Sequence, residues 1–306
     1  MFEGIIVALV TPLRDNRVDV DGLRRLIEYQ IEHGVHGIVP CGTTGESATL
    51  SHDEHRAVIQ HCIEIVGGRV PVIAGTGSNS TAESVALTRF AREAGADGAL
   101  LITPYYNKPT QEGLVRHYQT IAESVELPLV LYNVPGRTAL DMKPETVARL
   151  AELPNIVAIK EATADMERAL VIRSMCGEKL TLLSGDDATL LPFLAIGGRG
   201  IISVTANVAP GRMVALWNRW ERDDAVGALR EHETLLHLHR AMFVETNPIP
   251  VKAAAAMLGL CGGEIRLPLT PLSAGHHATL RRLMTDLALF DVVNGHESSS
   301  RFHDAD

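Results

Sequence analysis

Two stretches, Pro128-Leu-Val-Leu-Tyr132 and Ile156-Val-Ala-Ile-Lys160, decide the fold of this chain. Each is a short, continuous apolar run, without the alternation of apolar and polar positions that marks a half-exposed strand. Such runs predict strands buried on both faces, as in a parallel sheet. Six more runs of this kind occur, namely Ile5–Val10, Gly37–Cys41, Pro71–Gly75, Gly98–Ile102, Leu180–Ser184 and Gly200–Ser203.

The stretches between these runs have the apolar period of amphipathic helices, for example Leu23-x-x-Leu26-Ile27-x-x-Gln30-Ile31. From Ile5 to Gly200 the chain covers 195 residues in seven intervals, so one unit averages about 28 residues, the length of a βα repeat. Eight such units predict a closed (β/α)8 barrel, a TIM barrel. An open doubly wound sheet would usually have fewer strands and a nucleotide-type glycine turn.

More chain follows the eighth run than one closing helix requires. We expect the barrel to span residues 1–223, a C-terminal helical appendage to span 224–293, and residues 294–306 to form a polar, disordered tail. Asn247-Pro248 predicts a helix start, with Asn247 as the cap and Pro248 at the first helical position. The three predicted helices of the appendage are Asp224–Arg240, Pro248–Leu258 and His276–Phe290.

Composition narrows the class of protein. The 306 residues are 46% apolar and 21% charged, which excludes disorder for most of the chain. The net charge is −9 and no Lys/Arg run exceeds two, which argues against a nucleic-acid or anionic-membrane surface. No apolar stretch approaches the ~20 residues of a membrane span, and no signal peptide is predicted. The four cysteines are far apart with no C-x-x-C pair, as expected of reduced thiols in a cytoplasmic protein.

In a barrel of this kind, functional residues lie at the carboxyl ends of the strands. Lys160 ends the sixth run, where a low-dielectric site disfavours the ammonium form and leaves an amine able to form a Schiff base. The alternative is a lysine that reaches the barrel rim or pairs with Glu161. Tyr132 ends the neighbouring run and is a candidate proton donor and acceptor, or an aromatic core residue whose hydroxyl finds a backbone partner.

Two more strand ends carry candidate binding groups. Thr43 and Thr44 lie between two glycines, so their hydroxyl and N–H groups suit a carboxylate, although a plain Gly-Thr turn has the same pattern. Arg137 follows Pro135-Gly136 in a loop and suits bidentate binding of a carboxylate, or is simply solvated.

No metal site is predicted. The segment His52-Asp-Glu-His55 lacks the H-E-x-x-H pattern, and Ser51 with Glu54 forms a capping box that places both histidines in the first turn of a helix. His52 and His55 then share one helix face, which is either an exposed helix start or part of a small-ligand site. Cys41 is interpreted as a small buried apolar residue.

Six motifs together resemble the dihydrodipicolinate synthase family (4-hydroxy-tetrahydrodipicolinate synthases), over roughly residues 1 to 292. They are Gly42-Thr-Thr-Gly-Glu-Ser47, Tyr105-Tyr-Asn107, Tyr132-Asn-Val-Pro-Gly-Arg137, Ile159-Lys-Glu-Ala-Thr163, Ser184-Gly-Asp-Asp187 and Phe243-Val-Glu-Thr-Asn-Pro-Ile-Pro-Val-Lys252. The first is shared with a wider superfamily of pyruvate-dependent aldolases and lyases, whereas its combination with Val-Pro-Gly-Arg and Lys-Glu-Ala-Thr is typical of the synthases.

The resemblance implies a lyase of the diaminopimelate and lysine biosynthesis pathway that needs no cofactor. Lys160 would form an imine with pyruvate, whose enamine attacks the aldehyde of L-aspartate 4-semialdehyde before the adduct cyclises to 4-hydroxy-tetrahydrodipicolinate. Tyr132, Thr43 and Tyr106 would form a proton relay. Family members take Tyr106 from a neighbouring subunit, which implies a homo-oligomer, usually a tetramer.

Further residues match positions with a role in the family. Thr44, Gly185 and Ile202 match contacts to pyruvate, and Arg137 matches the arginine near the semialdehyde carboxylate. In family members inhibited by L-lysine, the inhibitor binds at a subunit interface. The residues that match that pocket are Ser47, Ala48, His52, His55, Asn79, Glu83 and Tyr105.

Three other functions fit parts of the pattern. A sialic-acid or sugar-acid lyase of the same superfamily would share Lys160 and Tyr132, but Arg137 in its Val-Pro-Gly-Arg run favours the synthase. A non-catalytic amino-acid sensor would not need the Lys160 and Tyr132 set. A phosphate-binding isomerase barrel is disfavoured because the seventh strand leads to Asp186 and Asp187, whose charges repel phosphate.

Overall fold

A computed structural model of the chain describes residues 2–291. All eight predicted strands are present, with ends within two residues of the sequence prediction. The barrel strands are β1 (Gly4–Ala8), β2 (Gly37–Val39), β3 (Ile73–Gly75), β4 (Gly98–Ile102), β5 (Leu129–Asn133), β6 (Ile156–Glu161), β7 (Thr181–Ser184) and β8 (Gly200–Ser203). A short hairpin of Leu13–Arg14 with Arg17–Val18, which the sequence analysis did not predict, follows β1.

The eight strands are parallel and close into a barrel. Their order is β2-β1-β8-β7-β6-β5-β4-β3, with β1 paired to both β2 and β8. A parallel bridge between Ile38 and Val72 joins β2 to the start of β3 and completes the ring. The prediction of a (β/α)8 barrel is therefore confirmed, and the carboxyl ends of all eight strands meet at one rim.

The helices alternate with the strands and continue beyond them. They are α1 (Val20–Glu32), α2 (His52–Val66), α3 (Thr81–Ala94), α4 (Gln111–Ser124), α5 (Pro135–Thr138), α6 (Pro144–Leu150), α7 (Met166–Cys176), α8 (Leu190–Ala195), α9 (Pro210–Glu221), α10 (Ala225–Ala241), α11 (Ile249–Met257) and α12 (Ala274–Asp286). Short 3-10 turns occur at Ser47–Thr49, Gly177–Lys179, Asp187–Thr189 and Thr205–Asn207. Helix α2 begins with the predicted capping box of Ser51 and Glu54.

The continuous apolar runs are explained by burial on both faces of the sheet. In β1, Ile5 and Val7 pack among the residues that lie between barrel and helices, whereas Ile6 and Ala8 pack in the barrel interior. Both directions are apolar, so neither face of the strand requires a polar residue. A polar residue on such a strand that points into the barrel interior is therefore an exception that needs a local explanation.

Helices α10, α11 and α12 form the predicted C-terminal appendage, and its apolar side chains join the same core cluster as those of β1. The prediction that Asn247 caps α11 is wrong. Pro248 occupies the cap position, and the Asn247 side chain instead donates a hydrogen bond to the hydroxyl of Thr44, across the barrel rim. The predicted tail, residues 294–306, lies outside the described residues.

Across residues 2–291, every helix is too short or too polar to traverse a lipid bilayer.

Candidate active site

Lys160 and Tyr132 face each other inside the mouth of the barrel. They are register partners on β6 and β5, and the Lys160 Nζ lies 4.5 Å from the centroid of the Tyr132 ring. Each residue is only 6% exposed. Within residues 2–291 no carboxylate forms an ion pair with Lys160. An amine held in this way is desolvated and lies against a phenol, an arrangement suited to imine formation with proton transfer nearby.

The alternative pairing of Lys160 with Glu161 does not occur. Successive residues of a strand point to opposite faces, so Lys160 faces the barrel interior while Glu161 faces the helices. Glu161 is buried there, and its carboxylate accepts a hydrogen bond from Arg168 Nε at 3.0 Å.

The Gly42–Glu46 turn follows β2 at the same rim. Its backbone is closed by hydrogen bonds from Gly45 N to Gly42 O and from Glu46 N to Thr43 O, both 3.1 Å long. In the described part of the chain, the N–H groups of Thr43 and Thr44 have no protein acceptor. Two unused donors in one turn suit a carboxylate, as the sequence predicted.

Glycine is required where this turn packs on its neighbour. A Cβ on Gly75, at the end of β3, would lie 2.1 Å from the Cys41 carbonyl oxygen. Cys41 itself is buried, and burial raises the pKa of its thiol well above the ordinary range. The thiol therefore has the character of an apolar core group.

Three more predicted residues surround the lysine and the turn. Ile202 packs in the barrel interior with Tyr132. A Cβ added to Gly185 would lie 3.1 Å from Lys160 Cε and 2.4 Å from the Cβ of Ala162. Arg137 is in the short helix α5 rather than a loop, and its guanidinium donates to the Asn247 carbonyl at 2.9 Å. Asn247 also donates a hydrogen bond to Thr44. This one residue therefore contacts both of the side chains, Thr44 and Arg137, that are predicted to bind a substrate carboxylate.

The predicted proton relay is only partly assembled within one chain. Thr43 and Tyr132 together line a small cavity of about 30 Å³ beside the barrel interior. Tyr106, in contrast, is 90% exposed, and its hydroxyl has no hydrogen-bond partner among residues 2–291. It has a positive φ of 75°, a conformation uncommon for tyrosine. The chain by itself therefore does not bring Tyr106 to Lys160.

The residues of the predicted lysine pocket gather around one larger cavity of about 510 Å³. Its lining also includes Thr43 and Arg137, so it continues to the barrel rim. Asn79 does not line it, but donates a hydrogen bond to the carbonyl of Tyr105 at 3.2 Å. The predicted residues that line the cavity are Ser47, Ala48, His52, His55, Glu83 and Tyr105.

The two histidines at the start of α2 do not converge on a common point. His55 is buried, its Nε2 lies 2.7 Å from the Gly75 carbonyl, and burial lowers its pKa. His52 is exposed, with its Nε2 3.3 Å from Glu83, whose carboxylate also accepts from the Ser78 hydroxyl. The cavity lining contains two acidic groups, Glu46 and Glu83. Glu46 is buried against Lys252, whereas the Glu83 side chain is 34% exposed.

Two buried charge clusters were not predicted from the sequence. Glu46, at the end of the Gly42–Glu46 turn, pairs with Lys252 of α11, and both side chains are 1% exposed. Glu161 is the centre of the second cluster, with Arg168 of α7 and Asn133 of β5. For Glu161 the sequence signal was an acidic side chain directly after the apolar run that ends in Lys160, whereas Glu46 follows a polar turn and had no such signal.

Comparisons with known proteins agree with this geometry. A model of the dihydrodipicolinate synthetase family matches residues 1–287. The 4-hydroxy-tetrahydrodipicolinate synthase of Magnetococcus marinus is 58% identical over 291 residues, which cover 95% of this chain and 100% of the relative.

Two solved structures are similar throughout. A chloride-inhibited dihydrodipicolinate synthase from Acinetobacter baumannii, complexed with pyruvate, has a TM-score of 0.92 and 49% identity, covering 94% of this chain and 100% of the other. The enzyme from Cyanidioschyzon merolae with lysine bound has a TM-score of 0.92 and 40% identity, covering 94% and 99%. Sequence, fold and strand-end residues lead to the same conclusion: the chain is a lyase that belongs to the dihydrodipicolinate synthetase family.

Proposed function

We propose that the chain is a 4-hydroxy-tetrahydrodipicolinate synthase that condenses pyruvate with L-aspartate 4-semialdehyde through a Schiff base on Lys160. The observation that carries the proposal is the buried Lys160 amine, which ends a barrel strand, lies over the Tyr132 ring and has no carboxylate partner within residues 2–291. The names of the relatives and the pyruvate complex of a similar structure support it.

The reaction follows from these groups. The Lys160 amine adds to the ketone carbon of pyruvate, and loss of one water molecule gives an imine. The protonated imine draws electrons from the methyl group, which loses a proton to give an enamine. The enamine carbon then attacks the aldehyde carbon of the second substrate, and the aldehyde oxygen becomes a hydroxyl. Attack of the substrate amino group on the imine carbon closes the ring and releases Lys160.

The surrounding residues have separate roles in the proposal. Tyr132 donates and accepts the protons of the carbinolamine and enamine steps, connected through Thr43 to the Tyr106 hydroxyl of a neighbouring subunit. The N–H groups of the Thr43–Thr44 turn hold the pyruvate carboxylate, and Gly185 and Ile202 shape its pocket. Arg137 binds the carboxylate of the semialdehyde, and its positive charge attracts this anion to a chain of net charge −9.

The working enzyme is proposed to be a cytoplasmic homotetramer of the diaminopimelate and lysine biosynthesis pathway. The exposed position of Tyr106 supports an oligomer, because a second copy can present this side chain where its own chain does not. Four free, buried cysteines suit a reducing compartment.

The central test is the intact mass after borohydride reduction with pyruvate. We expect a pyruvyl adduct on the wild type and on Lys179→Ala, a surface lysine control, and none on Lys160→Ala. Adducts on all three would place the imine elsewhere, and none on any would overturn the aldolase mechanism in favour of a sensor. Offering different aldehydes to the pyruvate-loaded enzyme separates the synthase from a sialic-acid or sugar-acid lyase.

We further propose that L-lysine inhibits the enzyme by binding the 510 Å³ cavity. Glu83 would meet an ammonium of the inhibitor, and the first turn of α2, with its N–H groups, favours the carboxylate. The similar structure from Cyanidioschyzon merolae contains lysine.

Millimolar-range lysine is expected to lower the activity and raise the Tm of the wild type. Glu83→Gln should weaken both effects by about tenfold in lysine concentration, while Glu93→Gln on the same helix should not. A wild type whose activity and Tm are unaffected by lysine would contradict this proposal.

A further inference from the structure

Behind Lys160 and Tyr132, on the outer face of the same two strands, lies a second pair of residues in contact. On β5 and β6, Tyr132 pairs in register with Lys160, and the next pair along the strands is Asn133 with Glu161. Because strand residues alternate, the first pair faces the barrel interior and the second faces the helices. Asn133 and Glu161 are both buried and are joined by hydrogen bonds from Asn133 Nδ2 at 3.2 and 3.4 Å.

Arg168, in the first turn of α7, compensates the charge of Glu161. Its Nε donates to Glu161 Oε2 at 3.0 Å, and the other Glu161 oxygen accepts from Thr163 N, also at 3.0 Å. The Arg168 side chain is 10% exposed and that of Glu161 1% exposed, so water screens this pair little. An unpaired carboxylate in this position would be a strong local source of negative potential.

Arg168 also forms hydrogen bonds with the loop that follows α5. Its terminal nitrogens donate to Asp141 Oδ2 at 3.2 Å and to the Met142 carbonyl. Asn133 bonds the same loop, through Nδ2 to Asp141 at 2.9 Å and through Oδ1, which accepts from Met142 N at 3.0 Å. The guanidinium and the amide therefore fix the ends of β5 and β6 relative to each other.

We propose that Arg168 is a positioning residue for Lys160: it balances the charge of Glu161 behind the amine, and by fixing the ends of β5 and β6 it keeps the amine over the Tyr132 ring. The inference rests on the proposed imine chemistry. Lys160 and Glu161 are consecutive residues, so a net negative charge on Glu161 stabilises the protonated amine, and a net positive charge on Arg168 destabilises it.

The other charged groups around the site have partners of their own. Asp187, beyond β7, accepts from Ser203, Val204 and Thr205, and Asp186 accepts from Thr189. Glu46 is paired with Lys252, Arg137 donates to the Asn247 carbonyl, and Asp141 is half-exposed beside Arg168. From β5, the ionisable group that faces the amine is Tyr132 itself. Glu161 is thus the buried acid whose counter-charge is Arg168.

The test is the pH dependence of borohydride-trapped imine formation with pyruvate. Arg168→Gln should move the midpoint of the profile to higher pH by about one unit, and Glu161→Gln should move it to lower pH. The double variant Glu161→Gln/Arg168→Gln should return it to within a few tenths of a unit of wild type. Arg149→Gln, which removes an exposed ion pair with Glu112, should not move it.

A purely structural role predicts a different result: lower Tm and slower trapping in every variant, with one common midpoint. That outcome would overturn the proposal. Arg168→Lys, which keeps the charge but not the planar fork, should keep the wild-type midpoint. If Arg168→Gln does not fold, the expected shift of Glu161→Gln to lower pH still distinguishes the two roles. A wild type that traps no pyruvate at any pH would instead contradict the proposed function, so the two failures are distinguishable.

Discussion

Gly185, at the barrel rim, leaves no space for even one side-chain atom beside Lys160. Its Cα faces Ala162 and the aliphatic part of Lys160, at distances that leave no room for a methyl group. The site is tight because β6 and β7 are adjacent parallel strands whose ends approach each other. A residue with no side chain is therefore needed for the Lys160 chain to lie along the strand end.

Gly185→Ala is expected to lower kcat/KM for pyruvate by at least about tenfold and to destabilise the fold by about 1–3 kcal/mol, because the added Cβ forces the strand ends apart. Steady-state kinetics and urea unfolding measure the two effects. Gly275→Ala is the matched control, since a Cβ at Gly275 has no neighbour within 4 Å. Wild-type kcat/KM in Gly185→Ala would contradict the prediction, because it would show that the strand ends accommodate the added methyl group without loss of activity.

Among the secondary-structure elements, helix α11 holds the Gly42–Glu46 turn in place. Lys252 of α11 donates to Glu46, the last residue of the Gly42–Glu46 turn, and Arg266 N donates to the other Glu46 oxygen at 3.4 Å. Glu46 has a positive φ of 55°, which is unfavourable for a glutamate and persists because these partners hold the side chain. The C-terminal appendage is thus part of the site and not only a cover for the barrel.

Lys252→Met should lower the free energy of unfolding by about 3–5 kcal/mol, because it leaves the Glu46 carboxylate buried without a counter-charge. It should also raise the KM for pyruvate, since the turn loses its anchor. Adding Glu46→Gln should recover part of the stability. Lys179→Met is the control: its ion pair with Glu152 is exposed and should contribute less than about 1 kcal/mol. Equal losses in the two single variants would contradict a special role for the buried pair.

In the molecule as a whole, one chain by itself does not assemble the proposed proton relay. Lys160, Tyr132 and Thr43 belong to one barrel mouth, whereas Tyr106 extends into solvent from the loop after β4. Its exposure is explained if a second copy covers it, so that each active site contains a tyrosine from its neighbour. In an assembly of this type, each active site needs residues from two chains.

Mixed oligomers check this arrangement. Tyr106→Phe and Lys160→Ala are each expected to lose most activity alone, and chains refolded together should regain it, because one site per mixed pair has both groups. A mixture of Tyr132→Phe with Lys160→Ala should stay inactive, since these two residues must come from the same chain. No recovery in the first mixture would contradict the shared site.

The barrel and the residues that face its mouth could be predicted from local sequence patterns. A strand that is buried on both faces is a continuous apolar run, and the segments between these runs have the apolar period of helices. Eight strands could therefore be counted from the sequence without knowledge of any tertiary contact. The strand-end rule then selected Lys160, Tyr132 and the Thr43–Thr44 turn. The prediction of the barrel succeeded because continuous apolar runs and the helical period are local properties of the chain.

The groups that surround these residues became visible only in the folded chain. Asn247 and Thr44 are separated by 203 positions in sequence, and Glu46 and Lys252 by 206, yet each pair is in direct contact. The sequence pattern at Asn247 suggested a helix cap, and the docking of α11 on the barrel rim gave its side chain another partner. A pairing of Glu161 with Lys160 was one alternative that the sequence left open, and strand alternation turns Glu161 towards Arg168 instead. Such pairings depend on how helices pack against the barrel, which no local pattern specifies.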